Sequence, residues 1–176
     1  TWGAFTYPLA FLVTDVMNRL YGPRAARQVV IVGFIVGVFC SLIGTQIYGE
    51  YGPLVTFRVA IGSGIAFLTA QLIDVQIFDR LREGTWWRAP LTSTLIGSAV
   101  DTAIFFTIAF SALFTGLEPE NIPLWAQEIL PMLGFGPEVP LWMSLAVADF
   151  CVKFSLALVA LLPFRVIISR LNDQRA

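Results

Sequence analysis

The sequence predicts an all-α polytopic membrane protein, a compact bundle of transmembrane helices, and three observations lead there. Of its 176 residues 57% are hydrophobic and only 13% are charged, about half the charged share of a soluble globular domain. The apolar residues fall in runs of about 20, the length that crosses a hydrocarbon layer. Proline- and glycine-rich breaks separate those runs. The length is that of a single domain, 1–176.

Five spans follow in order. The first, 4–20, is short and carries Pro8 and Asp15. The second covers 29–48 and has Gly33, Gly37 and Ser41 at the spacing of a small-residue packing ridge. The third covers 54–78, the fourth 91–115 and the fifth 141–168. Gly22-Pro23, Gly52-Pro53, the stretch 84–90 and the stretch 118–140 divide them. Within the last of these, residues 122–134 have helical spacing but too little length to span, which predicts a short interfacial helix.

Charge orients the spans. Arg19, Arg24 and Arg27 follow the first, Arg80, Arg82 and Arg88 the third, and Arg165, Arg170 and Arg175 close the chain. The opposite loops carry Glu50, Glu118, Glu120, Glu128 and Glu138 and no basic residue. Basic loops stay in the cytoplasm, so the C-terminus, Ala176, is expected there and Thr1 outside. An upstream sixth helix is expected from that odd count. Cys40 and Cys151 lie in apolar runs and the chain has no histidine, so neither a metal site nor a cofactor is expected; the cysteines read as small hydrophobes.

The informative residues are the charges inside the spans: Asp15, Arg58, Asp74, Asp101, Asp149 and Lys153. Each costs roughly 2.5–3.5 kcal/mol at the centre of a lipid-facing helix, so most must face the bundle interior. Helical spacing aligns them with polar and aromatic neighbours. Thr94, Ser98, Asp101 and Phe105 share one face; Phe67, Gln71, Asp74 and Phe78 another; Trp142, Asp149 and Lys153 a third; Phe11, Asp15 and Arg19 a fourth. Plainer readings stand beside this. Asp15 with Arg19 and Asp149 with Lys153 are i,i+4 pairs that neutralise each other. Gln71 is equally a helix–helix hydrogen bonder, Thr94 and Ser98 bond back to their helix, and Phe67 and Phe105 pack. Asp101 has no partner in its own span. On a straight helix Arg58 points away from Asp74 unless Gly62 and Gly64 break it. Acids and amides beside aromatic faces suit a flat heterocycle rich in N–H groups, and a proton or sodium path equally.

Four stretches carry a family resemblance: "TWGAFTYPLAFLVTDVMNRLYG" with "AAR", "RVAIGSGIAFLTAQLIDVQIFDRLR", "WWRAPLTSTLIGSAVDTAIFFTIAF" and "VADFCVKF". In this order they resemble the queuosine precursor transporters, once grouped as vitamin-uptake-transporter-like proteins. The loop 115–140 lies outside the likeness, and Asn18-Arg19 stand where many relatives have an acid. The resemblance implies six helices in the bacterial inner membrane and import of 7-cyano-7-deazaguanine, with its aminomethyl relative, for tRNA queuosine modification. It implies Asp15, Arg58, Gln71, Asp74, Ser98, Asp101, Asp149 and Lys153 as candidate contacts. Asp101 is the first choice to accept the paired N–H groups of the base and Asp74 the second, with Gln71 on O6 and Phe105 or Phe67 stacking.

The partners expected are this small molecule and the lipid bilayer, not nucleic acid; a homo-oligomer is compatible. Secondary or facilitated transport leads, because no nucleotide-binding GxxxxGK[ST] motif is present. The alternative is the substrate-binding subunit of an energy-coupling-factor importer, separable by co-purifying ATPases. An intramembrane enzyme ranks below both, lacking HExxH or any serine–base pair.

Overall fold

The computed structural model describes residues 3–50 and 52–173; Thr1, Arg175 and Ala176 lie outside the described residues. Its architecture is five long helices, α1 (Gly3–Tyr21), α2 (Pro23–Gln46), α3 (Phe57–Leu81), α4 (Arg88–Phe110) and α5 (Leu141–Asp173). Four of them, α2 to α5, are long and apolar enough to cross a membrane. α1, whose second half holds Asp15, Asn18 and Arg19, is not among these, although its 19 residues span about 28 Å at 1.5 Å per residue.

Local chemistry sets the ends. Gly22 takes φ 85°, a conformation that suits glycine, and its N–H returns to the Asn18 carbonyl (2.9 Å), closing α1 in the manner of a C-terminal glycine cap. Pro23 then opens α2 at the position where a missing N–H costs nothing, six residues before the expected start. Thr56 caps α3 through its side chain. α4 ends at Phe110, earlier than expected, where Ser111 turns extended and its hydroxyl caps a short 3-10 turn, Ala112–Leu117.

The interfacial helix expected over 122–134 does not form. Pro123, Pro131 and Gly134 interrupt it, leaving two 3-10 turns, Leu124–Gln127 and Met132–Gly134. Between them Ile129–Pro131 pairs antiparallel with Glu138–Pro140, joining Leu130 to Val139. The segment's helical spacing was too short to outweigh the prolines.

α3 and α4 make the most extensive contact in the bundle. The buried row on α3 runs Arg58, Gly62, Ala66, Ala70, Asp74 and Phe78, one residue every four. Each step turns about 40° around the helix, because 3.6 residues make a turn. Arg58 and Asp74 therefore face nearly opposite ways yet are both buried, since α4 crosses along that ridge. α3 is unbroken at Gly62 and Gly64. Close approach is made by small residues: a Cβ on Gly62 would lie 3.4 Å from the Phe105 carbonyl oxygen, and one on Gly97 would lie 2.8 Å from Phe11. The ridge on α2 matters less, because Gly33 meets Phe67 but Gly37 has nothing within 4 Å. Most of α2 beyond Val30 is exposed, Val32, Val36, Phe39 and Ile43 among it, as suits a helix facing lipid.

The loops at one end of the bundle hold arginines, with Arg165 stacked 5.0 Å over Trp86 and Arg19 donating to the Arg82 carbonyl. The other end carries Glu50, Glu118, Glu120, Glu128 and Glu138, while Glu83 lies among the arginines. Cys40 and Cys151 are free and exposed on their helices.

Candidate functional site

The interior charges divide into three groups at different depths rather than meeting in one shared hollow. At the acidic end, Arg58 is 1% exposed although it lies in the first turn of α3. Its Nε and Nη2 donate to the Ile108 carbonyl (3.3 and 3.2 Å), and Nη2 also to that of Ser111 (2.6 Å). The backbone N–H of Arg58 donates to the Glu118 carboxylate at 3.0 Å. The Ile108 carbonyl is orphaned by the end of α4, and the Ser111 carbonyl just beyond it also accepts from the Phe114 N–H (3.4 Å), so Arg58 acts as a C-terminal cap of α4. It stands 16 positions from Asp74, about 24 Å along the helix, and shares no site with it.

Midway along α4 lies the second group. Lys153 Nζ sits 2.7 Å from Asp101 Oδ2 and 2.5 Å from Asp149 Oδ2, and donates to Thr102 Oγ1 at 3.2 Å. Thr102 in turn donates to Asp149 (3.0 Å). The i,i+4 pair read from the sequence is present, but it also captures Asp101 from the neighbouring helix. Asp101, first choice for the base, is thus tied to a lysine.

The third group lies toward the basic end, where α1, α3 and α4 pack together. Asp15 accepts from Ser93 Oγ (3.4 Å) and Thr94 Oγ1 (3.3 Å); its expected partner Arg19 turns instead to Arg82. Asp15 and Asp74 interact side chain to side chain, with Ser93 beside both. Thr14 Oγ1 donates to Gln71 Oε1 at 2.9 Å, which turns the amide so that Nε2 points elsewhere. Asn18 Nδ2 donates to the Val75 carbonyl (2.9 Å).

Four atoms here stand out. Gln71 Nε2, both carboxylate oxygens of Asp74 and Asn18 Oδ1 are buried without a hydrogen bond of ordinary geometry. Leaving such groups unmade costs about 1–3 kcal/mol each, more when charged. Buried polar groups are normally paired, so the grouping of these atoms on neighbouring turns of α3 and α1 sets this part of the bundle apart.

The other candidates are distributed around these groups. Thr94 belongs to the Asp15 group, and Ser98 is buried between it and Asp101. Phe105 packs edge-on against Phe106 and Phe110. Phe67 lies against Gly33 and the Ala26–Val30–Val75 cluster. Two buried aromatics lie near Asp15: Phe11, 1% exposed and one turn above it against Gly97, and Phe164, which lines a small cavity with it. Sequence reasoning passed over Ser93, Thr14 and Asn18, although Thr14 and Asn18 bracket Asp15 on its own helix.

Two larger clefts lie away from the acids of the spans. One of about 280 Å³ lies between α2 and α3 and is lined by apolar side chains such as Phe34, Leu42 and Leu68. One of about 520 Å³ opens at the acidic end beside Glu118 and Glu120. A much smaller cavity, about 10 Å³, is lined by Asp15, Pro90, Thr94 and Phe164.

A sequence profile described as "Putative vitamin uptake transporter" matches residues 1–168. The chain is 30% identical over 190 residues to the "Queuosine precursor transporter" of Escherichia coli (strain K12), covering 99% of this chain and 77% of that protein. It is 36% identical over 138 residues to the "Probable queuosine precursor transporter" of Haemophilus influenzae, covering 72% of this chain and 57% of that protein. A protein of the same name from Bacillus subtilis (strain 168) is 26% identical over 198 residues, 100% of this chain and 75% of its own length. No solved structure matches significantly.

Proposed function

The chain belongs to the vitamin uptake transporter family, and from that premise we propose that it imports the queuosine precursor 7-cyano-7-deazaguanine across the bacterial inner membrane. The relatives' names support the precursor class. Its basic end faces the cytoplasm, with the C-terminus on that side, as the distribution of arginine implies.

One observation carries the choice of site: Gln71 Nε2 and both Asp74 oxygens are buried without a hydrogen bond of ordinary geometry, three residues apart on α3. A 7-deazaguanine offers two adjacent donors, N1–H and the 2-amino group, next to one acceptor, O6. Asp74 provides the two acceptors and Gln71 the donor that complete that edge. Asp101 is engaged by Lys153, so reading the base passes to Asp74, and Phe11 rather than Phe67 or Phe105 supplies the aromatic face. Asp15 and Thr94 support Asp74 from the neighbouring helices, and Ser98 lies on the way toward Asp101, Asp149 and Lys153. Arg58 guards the outer end of α4. A neutral base entering here meets groups whose burial it offsets, while the surrounding hydroxyls keep the grip weak enough for release.

The test is uptake of labelled 7-cyano-7-deazaguanine by cells lacking their own importer. The full-length protein restores uptake. Asp74→Asn, which removes a charged hydrogen bond of about 1.5–3 kcal/mol, lowers it roughly 10- to 100-fold at equal expression. Normal uptake by this variant removes Asp74 from the site; none by the unaltered protein removes the substrate.

A further inference from the structure

We propose that the groove between α2 and α3, with the glutamate-lined cleft it opens into, holds one phospholipid whose headgroup carries a primary ammonium. This does not rest on the substrate site proposed above. The apolar cleft between the two helices shares Phe34, Val38, Ser41 and Gly64 with a neighbouring hollow of about 250 Å³ that reaches Gly33 and Phe67. At its other end it shares Thr45 and Phe57 with the cleft beside Glu118 and Glu120. The three hollows therefore form one continuous groove, apolar along the helices and polar at its acidic mouth.

Its shape suits an acyl chain. From Gly33 to Thr45 it follows α2 for about 18 Å at 1.5 Å per residue, close to the roughly 15 Å depth of one leaflet. Small residues make its floor, Gly37 and Ser41 from α2 and Ala60 and Gly64 from α3. A Cβ on Gly37 would meet nothing within 4 Å, so no side chain of the bundle fills the groove there. Val38, Leu42, Phe57 and Ile65 stand exposed along it. A flat base rich in N–H groups would find few partners against such a wall, and unmade hydrogen bonds are costly. A hydrocarbon chain needs none.

Charge at the mouth selects the headgroup. Glu118 and Glu120 line it, and among the described residues no lysine or arginine is ion-paired with either. Glu118 accepts from the Arg58 N–H and the Asn121 amide (2.8 Å), while the Arg58 guanidinium is turned to the α4 carbonyls. Glu120 is exposed. An anionic headgroup is repelled by these carboxylates. A primary ammonium brings a positive charge with three N–H donors, and a quaternary one brings the charge alone. Tyr48 and Gln46, in the same lining, offer donors to the phosphate. A chain seated in the groove sets its headgroup against this cluster, because the groove runs directly into the cleft.

The test offers full-length purified protein equimolar phosphatidylethanolamine, phosphatidylcholine and phosphatidylglycerol with identical acyl chains, and reads bound lipid by native mass spectrometry. The ethanolamine lipid is retained as a single adduct, roughly 5-fold over phosphatidylglycerol and ahead of phosphatidylcholine. Glu120→Gln, at an exposed position, removes most of that preference and leaves the unfolding midpoint unchanged. Ser41→Phe, which fills the groove, loses the adduct, while Ile43→Phe, on the exposed part of α2 outside the groove, keeps it. Equal retention of the three lipids, or an unaltered preference in Glu120→Gln, overturns the headgroup assignment. An adduct that survives Ser41→Phe overturns the groove. A lipid-free dimer that Ser41→Phe disperses gives the groove to a second copy and overturns the lipid.

Discussion

Gln71 and Asp74 sit three residues apart with buried polar atoms that make no hydrogen bond of ordinary geometry, although Asp74 lies against Asp15 and Ser93, and such atoms are expensive in a bundle that pairs its other acids. Lys153 shows that pairing: one ammonium group serves Asp101, Asp149 and Thr102 at once. Truncating it strands two buried carboxylates, so Lys153→Met should destabilise the protein by about 3–5 kcal/mol, measured by denaturation in detergent. A loss below 1 kcal/mol would mean that the acids find other partners. That these residues are buried was legible from the sequence, because charge in a span has few other options. Which acid meets which base was not. Asp101 looked unpartnered within its own helix, and Lys153 reaches it only through the rotation of α5 against α4.

The helices are placed by small residues more than by large ones. Gly62, Ala66 and Ala70 let α3 and α4 approach closely, and Gly97 admits the Phe11 ring. A Cβ at position 97 would stand 2.8 Å from Phe11 Cε1, so Gly97→Val should push α1 away from α4 and separate Asp15 from Thr94. The expected cost is about 1–3 kcal/mol from overpacking, with uptake reduced more than stability; unchanged uptake and stability would show that α1 yields freely. Hydropathy located α2 to α5 because their apolar runs are long, and α1 emerged as the short run broken by Pro8 and Asp15, but the ends moved where caps decided them. Ser111 stopped α4 early and Gly22-Pro23 started α2 early. The loop 122–134 misled because its spacing of apolar residues resembles a helix while Pro123 and Pro131 forbid one.

Across the whole molecule, arginines other than Arg58 gather at one end and glutamates other than Glu83 at the other, with Asp15 and Asp74 of α1 and α3 nearer the basic end. Single cysteines at Glu83 and Asn121, on a background with Cys40 and Cys151 replaced by alanine, should report this in intact cells. A membrane-impermeant maleimide should label position 121 and spare position 83; the reverse pattern would invert the bundle. The gathering of arginines at one end and the helix order were legible in the sequence because both depend on composition along the chain. The depth at which a ligand would sit was not, because it depends on which polar atoms the packing leaves unpaired. That depth is where the account is most exposed. The most direct measurement is binding of 7-cyano-7-deazaguanine, and of its analogue lacking the 2-amino group, to the full-length protein and to Asp74→Asn. The account predicts that the unaltered protein prefers the complete base roughly 10- to 100-fold and that Asp74→Asn loses that preference. Equal binding of the two bases by the unaltered protein, or an undiminished preference in the variant, would contradict it.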